Sequence, residues 1–272
     1  FYGDLLYGSG YCDPRQSVYI IKGGPGTGKS HFMRVVARRA REQGYTVTEY
    51  LCSSDPASLD GLLLSKAGHP TLGLLDGTPP HVLEPSSPGA KDEILNLGAF
   101  WNPKKLGAQR EAITALGKRK ATAYANAYAA LSAAGRMDAV ADALTESCVS
   151  RDRLNALATR LLRDQPKGQG FTATPALRRA VSMAGKHTLH SFEAAATRLL
   201  LPDESYGMGY RLTEAMLGVS RALGHRVWVS YHPVYPHKID GLFYPDTGLC
   251  VLVGEAIPPE GIPTRALSLR RY

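Results

Sequence analysis

The pattern of apolar and polar positions divides the chain into three stretches. In the first, Val18 to Ile21 form a β-branched and aromatic run, a cluster of small residues follows, and Ser30 to Gln43 then has no Pro or Gly. Phe32, Val35, Val36 and Ala40 recur near one helical face, and Gly44 ends the run, which predicts strand, glycine loop and helix. Tyr45 to Cys52 alternates as a strand does, and Ser53-Ser-Asp55-Pro breaks it. Ser58-Leu-Asp60-Gly-Leu-Leu-Leu64 follows, then the apolar run Thr71-Leu-Gly-Leu-Leu-Asp76, with its carboxylate at the expected strand tip. Pro79-Pro80 and Pro88-Gly89 mark the next segment as rigid loop.

The second stretch, residues 103–167, is rich in Ala, Leu, Lys and Arg. It predicts two long helices, Gly107–Ala134 and Met137–Leu162, separated at Gly135. Ile113, Leu116, Tyr124, Tyr128 and Leu131 follow core spacing, so the hairpin is expected to pack its tyrosines against the sheets. The third stretch resumes the α/β pattern and repeats the first. Ala37 to Val47 runs parallel to Leu217 to Val227, and Pro56 to Leu62 to Pro236 to Leu242, both at a shift of 180 residues. Leu72–Pro80 then aligns with Val251–Pro259, and Ile94–Leu97 with Ala266–Leu269. The expected architecture is therefore α/β: a P-loop domain with a mainly parallel sheet (1–102), a basic helical insertion (103–175) and a degenerate second repeat (176–272).

The chemistry concentrates in the first loop. Gly23-Gly24-Pro25-Gly26-Thr27-Gly28-Lys29-Ser30, followed by His31, matches the Walker A pattern G-x-x-x-x-G-K-[ST] in strand–loop–helix context. Phosphate binding requires converging backbone N–H groups, which side chains would obstruct. Glycines allow such a nest, and the helix N-terminus adds partial positive charge. Lys29 can reach β- and γ-phosphates, and the Ser30 hydroxyl can complete a Mg²⁺ shell. Asp76 is the expected second metal-holding group. The alternative for it is an Asp-Gly turn ending a buried strand. No acidic residue follows Asp76 directly, so Asp55 and Asp60 are candidates to orient water, with His81 and Glu84 weaker ones. Under the repeat alignment the loop falls on Asp203-Glu-Ser-Tyr-Gly-Met-Gly-Tyr210, which has no lysine and carries two carboxylates, so the second copy is not expected to bind nucleotide in the usual way.

Bulk properties narrow the picture little. The 272 residues carry a net charge of +8, of which 103–167 holds +6, from twelve basic and six acidic residues. That favours anionic partners without choosing among them. Lys118-Arg119-Lys120 with Tyr124 and Tyr128 could grip nucleic acid, a reading placed behind the packed hairpin. No apolar run approaches bilayer length and no basic-then-apolar leader opens the sequence, so no membrane association and a cytoplasmic location are expected. Four scattered cysteines fit reduced thiols better than a disulfide or zinc framework.

The chain resembles an uncharacterised family of bacterial tandem P-loop proteins, known as ATPases or nucleotide-binding proteins. The resemblance rests on Gly23–Ser30, Cys52–Asp60, Leu75–His81 and Asn96-Leu-Gly98, and covers nearly all of the chain. It implies the P-loop fold and ATP binding. In that family both copies usually keep a P-loop, and this sequence departs in the second. The expected function is ATP binding with slow Mg²⁺-dependent hydrolysis as a conformational switch. A phosphotransferase, in which the arginine-rich helices close over an acceptor, and a non-catalytic nucleotide sensor are the alternatives.

Overall fold

A computed structural model describes residues 17–272 except 53, 54, 80, 81, 169, 184, 255 and 271. Two compact units divide the chain, one ending at Lys118 and the other beginning at Arg119.

The first unit follows the predicted order. Strand β1 (Ser17–Lys22) leads into helix α1 (Lys29–Glu42), followed by β2 (Thr46–Leu51), β3 (Leu59–Ser65), β4 (Leu72–Asp76) and β5 (Asp92–Asn96). Gly44, at φ 76°, closes the end of α1, where few other residues are comfortable. The five strands lie in the order β2-β3-β4-β1-β5. β4 and β5 flank β1 in parallel, while β2–β3 and β3–β4 are antiparallel. The sheet is thus mixed rather than mainly parallel, because short turns after β2 and β3 reverse the chain where a parallel strand would need a helical crossover. Met33 and Ala37 of α1 bury one face of the sheet against Ile21, Leu59, Leu62 and Leu74. Val18, Ile20 and Leu75 bury the other.

The second unit contains the same arrangement. β9 (Arg198–Pro202), α5 (Met208–Leu223), β10 (Arg226–Tyr231), β11 (Ile239–Tyr244), β12 (Leu249–Leu252) and β13 (Thr264–Leu267) repeat it in chain order. The sheet order β13-β9-β12-β11-β10, extended by β6 (Thr172–Pro175), mirrors the first, and the strand senses correspond. The register repeats as well. Tyr50 pairs with Gly61 and Ser230 with Gly241, and each pair is followed at once by a bulge. A short hairpin, β7 (Arg179–Ser182) and β8 (Gly185–Thr188), precedes the repeat.

One part of the sequence alignment slips. Gly61 faces Leu75 and Gly241 faces Leu252, so Leu252 takes the place of Leu75. The residue after each strand position makes Val253, not Glu255, the counterpart of Asp76. Apolar strands slide along one another at little penalty in sequence, and the matching Pro-Pro pairs beyond them pulled the alignment off register.

The helical stretch differs from expectation. α2 (Pro103–Ala108) starts on Asn102, whose side chain accepts from Lys105 N, and α3 (Arg110–Glu146) then runs unbroken for 37 residues through Gly135. A helix-interior glycine costs only about 1 kcal/mol relative to alanine, too little to force a break. The chain instead breaks at 147–150, where Ser150 caps α4 (Arg151–Leu161). No residue of α3 is buried, and Leu116 and Tyr128 are each 60% exposed, so the expected packing of the tyrosines is not seen. Only α4 joins a core, through Leu154, Leu157 and Ala158.

Candidate functional site

The loop between β1 and α1 is shaped by Gly23, Gly26 and Gly28, all at positive φ, and Gly28 sits left-handed at the first position before the helix. Thr27 Oγ1 donates to Gly24 O at 2.8 Å and pins the turn. α1 begins at Lys29 with no side-chain cap and no acidic residue in its first turn, so its N-terminal N–H groups and partial positive charge face the loop. Lys29 Nζ donates to Gly23 O at 2.6 Å and Gly24 O at 3.2 Å, and lies 3.6 Å from Asp76 Oδ2. Both side chains of that pair are largely buried.

Around this ammonium the sheet supplies oxygen donors. Ser30 Oγ accepts from Leu59 N at 3.0 Å, which ties the first turn of α1 to the start of β3. Asp76 ends β4, and its Oδ1 accepts from Thr78 N at 2.9 Å and Thr78 Oγ1 at 2.5 Å. That turn leaves Oδ2 as the oxygen on the lysine side. β3 and β4 pair Gly61 with Leu75, and one further antiparallel step sets the buried Asp60 across from Asp76. Hydroxyl and carboxylate oxygens of this kind suit Mg²⁺, a hard cation that prefers oxygen ligands.

The remaining candidates stand apart. Asp55 is exposed, and its carboxylate accepts from Ala57 N at 3.1 Å in a turn. Glu84 pairs with Lys22 at 2.6 Å, whose ammonium also holds Gly77 O and Leu83 O. That lysine fixes the loop after β4. Pro25 and His31 are exposed at the rim, and His81 lies outside the described residues.

Trp101 escaped sequence reading. A Cβ on Gly24 would fall 2.7 Å from the indole ring, so the ring lies directly on the loop backbone. Gly98, one turn before Trp101, brings its N–H beside Gly23. The only sequence signal was Asn96-Leu-Gly98 beyond β5, which carried no chemistry by itself.

The second unit fills the corresponding place differently. Gly207, at φ 71°, precedes α5 as Gly28 precedes α1, but Met208 follows it, and the loop from β9 is one residue shorter. Asp203 accepts from Ser205 N at 2.8 Å and so shapes its own turn. A Cβ on Gly209 would meet Val253 Cγ1 at 2.8 Å, so helix and strand are in close contact. Asp240, the counterpart of Asp60, is fully buried and pairs with Arg179 Nε at 2.6 Å and Arg178 Nη1 at 3.9 Å. Asp138, Asp142 and His237 also approach one another. Lys238 Nζ, 2.6 Å from Asp138 and 3.0 Å from Asp142, already meets their charge, so this group is an ion-pair network.

Among the described residues, no helix is long and apolar enough to cross a membrane. Cys52, Cys148 and Cys250 are free thiols, and Cys12 lies outside the described residues. No family model, curated protein or solved structure matches the chain.

Proposed function

We propose that the first unit is a P-loop nucleotide-binding domain that binds ATP with Mg²⁺ and hydrolyses it slowly, as a conformational switch. The observation that carries this reading is the position of Lys29. Its ammonium lies within 3.6 Å of Asp76, over a glycine loop that opens onto an uncapped helix N-terminus. An incoming phosphate would replace the loop carbonyls as acceptor for this ammonium and receive the loop N–H groups. Ser30 and Asp76 would hold Mg²⁺, whose part is to offset charge on the phosphoryl oxygens. Asp60, beside Asp76, is better placed to orient water than Asp55, which is committed to its turn. The second unit keeps the strand order without the lysine, so one nucleotide per chain is expected.

The test is titration calorimetry with ATP and Mg²⁺, together with phosphate release. Lys29→Ala should lower turnover about 100- to 1,000-fold, as loss of a principal electrostatic group does. Native turnover in that variant would end the assignment. Tight uptake with no turnover in the native chain would make the protein a sensor.

A further inference from the structure

We propose that the segment following β5 in the first unit, Phe100 to Lys118, is a docking surface for single-stranded nucleic acid, and that Trp101 couples its occupancy to the glycine loop. The coupling rests on the nucleotide reading above; the docking surface does not.

Three observations lead here. The first is charge. Between Glu93 and Asp138 the only acidic residue is Glu111, whereas Lys104, Lys105, Arg110 and Lys118 all lie exposed within the first unit. Among the described residues Lys104, Lys105 and Arg110 make no ion pair, so their charge faces solvent. Basic groups spaced along an acid-poor helical segment suit a phosphate backbone. The second is aromatic exposure. Phe100 is 86% exposed and Trp101 45%, and both stand in the turn immediately before the basic residues. A large apolar ring left in water next to free cations is the pairing that stacks bases while the backbone is held electrostatically. Both elements needed for an unpaired strand are therefore present, and a duplex would hide its base faces from the rings. The third is the seat of Trp101. Its ring rests on Gly24, the second residue of the glycine loop, where no side chain could fit beneath it. A base stacking on the outer face of that indole would press or tilt it against the loop that receives the phosphates.

The test uses the full chain and a fluorescently labelled 20-nucleotide single strand of mixed sequence, read by anisotropy. Binding is expected at 50 mM salt. With four phosphates engaged, affinity should fall about fifty-fold by 200 mM. Changing both Lys104→Glu and Lys105→Glu should lower affinity at least about tenfold and flatten the salt slope by about 1.4. Trp101→Ala and Phe100→Ala should each weaken binding about tenfold. Phe100 is so exposed that its removal leaves folding intact, so it keeps the test informative if Trp101→Ala misfolds. Lys29→Ala should bind the strand normally. The strand should shift ATP affinity in the native chain and fail to do so in Trp101→Ala.

Absence of binding at 50 mM salt overturns the surface and leaves the ATP reading intact. Equal binding to heparin or to phosphatidylserine vesicles, unaffected by either aromatic substitution, also overturns it. Strand binding in a chain that takes up no ATP removes the nucleotide reading and the coupling while the surface stands.

Discussion

Lys29 and Met208 each follow a left-handed glycine at the start of a helix, in two sheets with one strand order and one shared bulge. Around Lys29 the neighbours are Ser30, Asp76 and Asp60. Around Met208 they are Gly209, Val253 and Asp240. Three of the four polar groups have become apolar or absent, and the fourth is neutralised from within by Arg178 and Arg179. The lesson is that the scaffold does not depend on the polar cluster. The second unit builds the same mixed sheet with a helix on one face around the Gly209–Val253 contact and a buried ion pair.

Several substitutions would break or sharpen this contrast. The largest effect is expected from Asp240→Asn, which removes the carboxylate that Arg179 holds at 2.6 Å and leaves the wholly buried Arg178 with Glu193 as its remaining ion-pair partner. Unpairing a buried charge costs about 3–5 kcal/mol, measured as a lower urea midpoint. The same change in the first unit, Asp60→Asn, should instead lower ATP turnover about 100-fold. If both variants lost stability alike and turnover were untouched, the two aspartates would be equivalent and the contrast would vanish.

Met208→Lys restores the missing ammonium at a position already buried in the core. The buried charge should cost at least about 2 kcal/mol, and calorimetry should find no second nucleotide. A second equivalent of bound ATP would show that the lysine alone separates the units.

Gly28→Ala and Gly207→Ala should each cost about 1–2 kcal/mol, since both backbones are left-handed. Only Gly28→Ala should also weaken ATP binding. An equal loss from Gly207→Ala would mean that the second loop takes part.

The effect that is smallest at neutral pH, and grows only on acidification, belongs to a histidine. His232 Nδ1 accepts from Val234 N and Tyr235 N, which requires the neutral ring. Burial, and then the nearby Arg179 guanidinium, push its pKa down to about 4. The unfolded chain protonates this ring near pH 6.5 while the folded chain does not. Its contribution to stability is therefore unchanged above about pH 6.5 and falls progressively between 6.5 and 4. His232→Gln should flatten that part of the pH–stability curve relative to the native chain. The first unit has no counterpart in this position, since Cys52 stands there. An unchanged slope would show that other groups set it.

Much of the fold was legible in the sequence, and for identifiable reasons. The glycine loop and α1 announced themselves because backbone geometry there demands particular residues at fixed spacing. The duplication was readable because strand residues such as Asp60-Gly61 and Asp240-Gly241 are pinned by the bulge beside them. The parallel sheet was misread because apolar strands carry no mark of their direction. The helix break was misplaced at Gly135 because one glycine is a weak obstacle within 37 residues of good helix formers. Local pattern was enough to single out Lys29 and Asp76, which the structure brings within 3.6 Å of each other. It did not single out Trp101, because the proximity of β5 to the loop is a product of strand order, which no local pattern encodes.

The seat of Trp101 gives the protein a built-in optical gauge. The chain has two tryptophans, and the other, Trp228, lies against Phe192 and Phe243 in the second unit. An indole resting on bare glycine backbone should change its emission when that backbone takes up a ligand, and Trp228, 36% exposed, gives the background against which the change is read. Unlabelled protein in a cuvette can therefore report loading of the first loop, and Trp101→Phe supplies the blank.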